Sequence, residues 1–516
     1  MMRFKGPLAD SFPAAVALVV FALVPFLLLT AAMLPLAQVV GKSLGLSPGA
    51  FDLTIAMSDA AYAVGTVLAV QLAAHLPARR MLLVYVSAFV VASVLCAWAP
   101  DKGVFVGAFI AEGLCTSLML IAAVPPLVTG WPPSKMPWTG AVMNLCIFGA
   151  VAVGPSIGGF QASGMAWKPL FWGVVAIAVL ALCFAVLTYE DQPPIDQSAP
   201  VDLVAIGLAV VGCAAAFYGA GELQAYGLST AALVPLCGGM GLVVTLVVYQ
   251  YRRRHPLMPV KQLVTTFPVM GIWIALCSSA AAFGLMELAL ASLARTTTPG
   301  HAAVLFLPEF GGAVVVAGLF GVLFRTRYTP LLALSGTALI AAAAVVLAHL
   351  SSGSDTVVAL SAGLIGLGVG ASVSPALFLA GFSLRSSQIQ RVFALIELMR
   401  GVTAFLIAPI LMYLASTLSS SSALGTKDAI YLCLGIAGLG GLGAAAIFWL
   451  GRGRLQVPDL QSWQEGTPAW DSLPVFSRLR PIATAKAGFG TGGPKGAASG
   501  TVLGAREPDE GVRRPA

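Results

Sequence analysis

Charge is what this chain has least of. Only 9% of its 516 residues are Asp, Glu, Lys or Arg, against roughly 25% in a soluble domain, whose surface has to face water. Twenty-eight basic and 21 acidic side chains cannot coat a soluble particle of this length. Soluble enzymes and disordered proteins are thereby excluded. Paired cysteines are missing too. The eight cysteines (Cys96, Cys115, Cys146, Cys183, Cys213, Cys237, Cys277 and Cys433) lie in apolar runs without a C-x-x-C pair. They read as small buried hydrophobes, not as disulfides or metal ligands. No G-x-x-x-x-G-K-[ST] loop is present to bind ATP, and no H-E-x-x-H, G-x-S-x-G or paired acid set marks an enzyme. No cofactor, metal or nucleic-acid partner is expected.

Apolar sequence fills the space that charge leaves. The chain is 58% hydrophobic, contains 56 glycines and has a mean hydropathy of +0.92. A bilayer core takes about 20 apolar residues in helix, and fourteen such runs follow one another between residues 14 and 451. Each is closed by charge, proline or a Gly/Ser cluster. The first follows Arg3 and Lys5 but is too long for a signal peptide and lacks a small-residue cleavage pattern, so it reads as a retained span. Loop charge tests the count. With the N-terminus in the cytoplasm, fifteen Lys and Arg fall in cytoplasmic segments, among them Arg79, Arg80, Lys135, Arg252 to Arg254 and Arg391. Five (Lys42, Lys102, Lys168, Arg295, Lys427) fall opposite. The positive-inside rule then predicts an even number of spans in the cytoplasmic (inner) membrane, with both termini cytoplasmic. Residues 455–516, rich in Gly, Pro and charge, read as a disordered cytoplasmic tail.

Four segments carry a family resemblance. Gln71–Arg80, between spans 2 and 3, stands where the major facilitator superfamily keeps a Gly-x-x-x-Asp-Arg-x-Gly-Arg-Arg loop. Span 5 holds Gly154-Pro155-Ser156-Ile157-Gly158-Gly159, similar to the antiporter signature. It is followed by Trp167-Lys168-Pro169-Leu170-Phe171, which resembles the Trp-Arg-x-x-Phe opening span 6 in the 14-span group. Arg252 to Leu263 (RRRHPLMPVKQL) resembles that group's His-Pro-Leu linker. Over residues 14 to 451 the chain is thus similar to the 14-span drug:proton antiporters. The resemblance implies an all-α polytopic membrane protein of major facilitator fold: two six-helix bundles plus two extra central helices. Residues 1–190 would form the N-terminal bundle, 191–262 the inserted helices and linker, 263–454 the C-terminal bundle and 455–516 the tail. It also implies that span 5 packs against its counterpart at the pseudo-two-fold axis and seals the cytoplasmic route. The residues agree with such packing. Pro155 removes a ladder donor, and Gly154, Gly158 and Gly159 strip one face of side chains.

Departures from the family pattern are as informative. Aligning Pro35 with the proline that ends the first-span signature puts Phe26 where relatives keep a carboxylate. Aligning Glu112-Gly113 with the span-4 signature puts Phe109 where they keep an arginine. If those two charges pair in relatives, losing both costs less than losing one, since a single survivor would be an unpaired buried charge. In the span 2–3 gating loop His75 replaces the Asp, Gln71 and Ala78 replace two glycines, and Arg79 and Arg80 remain. The gating latch must be weaker or differently made.

Proton coupling needs a protonatable group at membrane depth, where low-dielectric surroundings favour the neutral form of an acid. Asp59, Glu112, Glu287, Glu309 and Glu397 are candidates, with Asp59 and Glu112 first because their spans line or adjoin the cavity in this fold. Glu309, after Pro308 near a span end, reads as interfacial. Glu397 and Arg400 share a helical face. Two roles are open for them: an ion pair holding span 13, or an anion-binding arginine with a competing carboxylate. Phe26, Tyr62, Phe109 and Asn144, with Arg400, are candidates for the substrate cavity. Such walls suit a bulky lipophilic compound better than a sugar. The expected function is a secondary transporter exporting a small amphiphilic organic compound by alternating access, in exchange for protons. A uniporter or importer of the same fold is the alternative. Expected partners are the small-molecule substrate, protons and the lipid bilayer, with a periplasmic adaptor as a further candidate.

Overall fold

The structure, a computed structural model, describes residues 6–188, 190, 200–349, 354–418 and 422–479. It contains fourteen helices long and apolar enough to cross a membrane: α1 (Phe12–Leu44), α2 (Pro48–His75), α3 (Ala78–Trp98), α4 (Lys102–Thr129), α5 (Pro133–Ser163), α6 (Lys168–Thr188), α7 (Leu203–Tyr226), α8 (Thr230–Arg252), α9 (Thr266–Leu293), α10 (Pro299–Leu323), α11 (Thr329–Ala348), α12 (Asp355–Phe382), α13 (Ser386–Thr417) and α14 (Gly425–Leu450). The fourteen expected spans are all present. With no water in lipid to satisfy the backbone, each apolar run has to close its own hydrogen bonds as helix.

Short polar residues start several of these helices. Ser47 accepts from the Ala50 N–H at α2, Asp101 from Gly103 and Val104 at α4, and Ser229 from Ala232 at α8. Each satisfies a donor that the first turn would leave unpaired. Gly45, at φ 65°, ends α1. Proline interrupts many spans without ending them, Pro155 and Pro308 among them. In α5 a π-helical segment, Leu145–Gly149, follows directly on Asn144.

Helices α1–α6 form one bundle and α9–α14 the other. They meet along two seams, α5 against α10 and α2 against α13. The inserted pair is central in sequence but peripheral in space: α7 lies over the α2/α13 seam, and α8 packs on α7. An even number of spans brings the end of α14 back to the side where α1 begins. That side, here the basic end, holds the loops with Arg79, Arg80, Lys135, Arg252 to Arg254 and Arg391.

The first part of the expected tail differs from the disorder read in its composition. Residues 455–479 dock on the basic end, around a short helix α15 (Leu460–Gln464). Asp459 caps it by accepting from the Ser462 N–H, and that bond holds the exposed Asp459 carboxyl below its usual range. Trp463 is fully buried, 4.3 Å from the Phe382 ring, and donates from Nε1 to the Leu384 carbonyl at 2.8 Å. Trp470 lies over Phe267 and Phe382. The Ala469 N–H donates to the Phe382 carbonyl, and the Thr266 N–H to that of Leu473. A few large apolar anchors on a preformed helical surface suffice, with no periodic pattern for a sequence reading to find. Arg3, Lys5 and the rest of that tail, residues 480–516, lie outside the described residues.

Candidate functional site

The α5/α10 seam is built by glycine. A β-carbon at Gly159 would come 2.7 Å from the Pro299 carbonyl oxygen and 2.9 Å from the Ala303 β-carbon. Ser156 Oγ donates to the Ala303 carbonyl at 2.8 Å. Gly154 and Gly158 face α1 instead. A β-carbon there would meet the Ala31 β-carbon at 2.6 Å and Pro35 Cγ at 2.8 Å, respectively. Pro155 is buried between the two faces. The antiporter-like motif thus joins α5 to its own bundle on one side and to α10, at the end opposite the basic one, on the other. Gly159→Leu is expected to wedge α5 from α10 at a cost of about 1–3 kcal/mol. A fall in thermal stability of the purified variant, with membrane insertion retained, checks this; an unchanged melting curve would contradict the packing.

Along α2, Asp52, Asp59 and Tyr62 lie seven and three residues apart, hence near one face. That face turns to the other bundle. Glu287 of α9 is within electrostatic range of both Asp52 and Asp59, and Asp59 Oδ1 has no hydrogen-bond partner among the described residues. Tyr62 donates to Glu397 Oε2 at 3.3 Å. Glu397 is already gripped by Arg400, whose Nε lies 3.2 and 3.0 Å from the two carboxylate oxygens and whose Nη2 lies 2.6 Å from Oε2. Both are buried, at 4% and 2% exposed. Of the two roles open for Arg400, the ion pair is the one formed here. Asp52 was not among the acids picked out from the sequence. Its position seven residues before Asp59 is the signal that could have found it.

Glu112 does not join this group. It is fully buried within the N-terminal bundle, against Ser93 and Cys96 of α3. Glu309 moves the other way. Pro308 lies inside α10 and does not end it, so ten residues of helix at 1.5 Å each put Glu309 about 15 Å deep, not at an interface. There it lines a central cavity of about 20 Å³ with Phe148, Val151, Phe283, Met286 and Val369. It is 4% exposed, and its Oε2 has no hydrogen-bond partner among the described residues.

The predicted aromatic cavity residues, Phe26, Tyr62 and Phe109, fall within a column of rings instead of a wall. Phe105, Phe109, Phe26, Tyr62, Phe405 and Phe283 follow one another at centroid separations of 5.5–6.2 Å, from the N-terminal bundle into the C-terminal one. Phe26 and Phe109, in the positions of the missing carboxylate and arginine, are ring neighbours at 6.1 Å. An apolar contact therefore occupies the place where the aligned signatures carry a carboxylate and an arginine. Asn144, buried ahead of the π segment, bridges the bundles by donating to the Gly370 carbonyl at 2.9 Å.

At the basic end, His75 Nδ1 lies 2.9 Å from the Gln71 carbonyl oxygen. Arg79 Nη2 donates to the Val186 carbonyl at the end of α6, and Arg80 is exposed. The bundles touch here as well. Gln390 of α13 donates to the Ile121 carbonyl of α4 at 3.1 Å, and Arg325 to the Pro133 carbonyl at 2.7 Å. A larger vestibule of about 440 Å³ opens beside them, lined by Leu18, Ala73, Met81, Ala123, Trp131 and Gln390 among others.

Known proteins share this fold. The human organic anion transporter MFSD10 (TETRAN) superposes with a TM-score of 0.55 at 12% identity, covering 84% of this chain and 99% of that one. A mutant form of the peptide transporter POT superposes with a TM-score of 0.59 at 13% identity, covering 85% and 94%. Among sequences, the MFS-type transporter YubD of Bacillus subtilis is 26% identical over 50% of this chain and 51% of its own length. Multidrug resistance protein B homolog of Mycobacterium tuberculosis is 24% identical over 61% and 59%. The chain thus spans about half to three-fifths of the length of these two curated relatives. The family model described as Major Facilitator Superfamily matches residues 15–408. Two helical bundles joined along the α5/α10 and α2/α13 seams, with buried acids between them, accord with that match: the chain is a member of the major facilitator superfamily.

Proposed function

We propose that this protein exports a small amphiphilic organic compound by alternating access, in exchange for protons. The observation that carries the reading is Glu309, a lone carboxylate in a cavity otherwise walled by Phe, Met and aliphatic side chains where the bundles meet. An acid so placed can hold a proton while the site is empty and release it when a lipophilic or cationic compound enters. Asp52, Glu287 and Asp59, grouped toward the end opposite the basic one, add protonatable groups on that side, so in this scheme protons enter from that end and the compound leaves toward it. Glu112, turned into its own bundle, takes a structural role in this scheme. The relatives named as multidrug resistance proteins support export. The excess of loop arginines and lysines supports a cytoplasmic basic end in the inner membrane. A second reading, uniport, has its own support in the Phe26–Phe109 contact, which removes two charges the family pattern carries.

The test uses proteoliposomes with an imposed pH gradient and a lipophilic cationic dye. Wild-type protein is expected to accumulate dye only with the gradient, and Glu309→Gln to lose that dependence with a drop of at least about ten-fold in driven accumulation. Equal accumulation with the gradient collapsed sinks proton exchange and leaves uniport. Full coupling in Glu309→Gln moves the proton site to the Asp59–Glu287 group.

A further inference from the structure

The gating loop lacks its acid, yet a buried carboxylate stands beside it. Asp202 caps α7, accepting from the Ala205 N–H at 3.1 Å, and is 4% exposed. Its own N–H donates to Gln71 Oε1 at 3.0 Å. Its Oδ1 also accepts from the Tyr249 hydroxyl at 3.3 Å, and its Oδ2 from Gln250 Nε2 at 3.1 Å. Arg253 pairs with Oδ2 and donates to the Tyr249 hydroxyl at 2.6 Å. Gln250, fully buried, turns its other end to the linker that leads into α9, accepting from Leu257 and Met258 at 2.7 and 3.3 Å. One network therefore ties the end of α2, both inserted helices and the approach to the C-terminal bundle. Gln71 is the residue standing at a glycine position of the family loop, and that departure supplies the acceptor for Asp202.

We propose that Asp202 is a positioning residue of the transport cycle: the inserted pair supplies the carboxylate that the α2–α3 loop lacks, and its network with Gln71, Gln250 and Arg253 latches the basic end shut. The proposal rests on alternating access but not on proton coupling or on any particular substrate. Its physics is that of a hydrogen-bonded network centred on the buried Asp202 and Gln250, which cannot be parted without stranding buried polar groups. A latch built that way has two states, made and broken. Gln71 holds it on the N-terminal bundle. The Leu257–Met258 linker and the packing of α7 on α13 hold it on the other. Opening the basic end moves those anchors apart.

Hydrogen exchange on the full-length protein in nanodiscs tests this without substrate. Asp202→Asn and Arg253→Gln are each expected to speed exchange about ten-fold in 121–131, which lines the basic-end vestibule and not the cavity that Asp202 shares with Gln388 and Arg391. The double variant should add little, and Arg253→Lys should restore the slow rate. Exchange that rises only in 200–206, 249–258 and 388–391, with 121–131 unchanged, would overturn the proposal and leave Asp202 a local helix cap. A global rise in exchange with loss of the folded species also counts against it, because a latch controls opening and not folding. Loss of proton coupling in the dye assay has no bearing on these rates, so the two ideas fail separately.

Discussion

Arg400→Ala, with Glu397 left in place, is expected to destabilise the protein by about 3–5 kcal/mol. The pair sits near mid-membrane, where neither charge can reach water, and three nitrogen–oxygen contacts of 2.6–3.2 Å hold it. Removing the guanidinium strands a carboxylate whose remaining partner is the Tyr62 hydroxyl at 3.3 Å, and a single neutral donor offsets little of that desolvation. The double variant Glu397→Gln/Arg400→Met should recover much of the loss, because it removes both charges and keeps the volume. Thermal unfolding of the purified proteins, followed by size-exclusion profile, should show Arg400→Ala melting well below both wild type and the double variant. Equal melting of the single and double variants would mean that Glu397 finds another partner or takes a proton, and that the pair contributes little to folding. A second consequence is local to the seam. Tyr62 reaches Glu397 from α2, stacks on Phe26 and meets the Phe405 ring edge to face, so the pair helps set where one bundle rests on the other.

How much of this was legible beforehand depended on whether the determining physics is local. Fourteen spans could be read because a lipid-crossing helix must be apolar over about 20 residues whatever surrounds it. The Glu397–Arg400 pair was legible because three residues on a helix fix its geometry. Glu309 was misjudged because it was counted as near the outer end of its span, whereas the ten residues of helix between Pro299 and Glu309 carry it well into the bundle. Glu112 and Asp59 looked alike in sequence. Only the direction each helix turns separates a group facing α3 from one facing α9. Asp202 was invisible for a different reason: its partners Gln71, Tyr249, Gln250 and Arg253 come from separate segments, and nothing in any one of them marks the meeting. The missing loop acid was visible, but the residue standing next to the gap lies 127 positions further along the chain than His75.

Trp463→Ala is expected to release the docked segment 455–479 at a cost of about 3–5 kcal/mol, the range for truncating a fully buried tryptophan. The indole fills a site made by the end of α12, and its N–H satisfies the Leu384 carbonyl. Losing it removes the ring contact with Phe382 and strands a buried acceptor together. Trp470 and Leu460, buried on the same surface, would then hold the segment with far less area. The effect should spread beyond the segment, because Gln464 donates to the Trp131 carbonyl in the α4–α5 loop at 2.5 Å. A strap anchored on the C-terminal bundle thus touches the N-terminal one at the basic end. Limited proteolysis reads the first step: wild type should resist cleavage after Arg478, and Trp463→Ala should be cut there and at Arg454 under the same conditions. Tryptophan fluorescence reads the second, since a freed Trp470 should shift toward the red. Retained protection in the variant would show that the backbone bonds of Ala469, Thr266 and Arg478 hold the segment without the indole, and that Trp463 fills space it does not control.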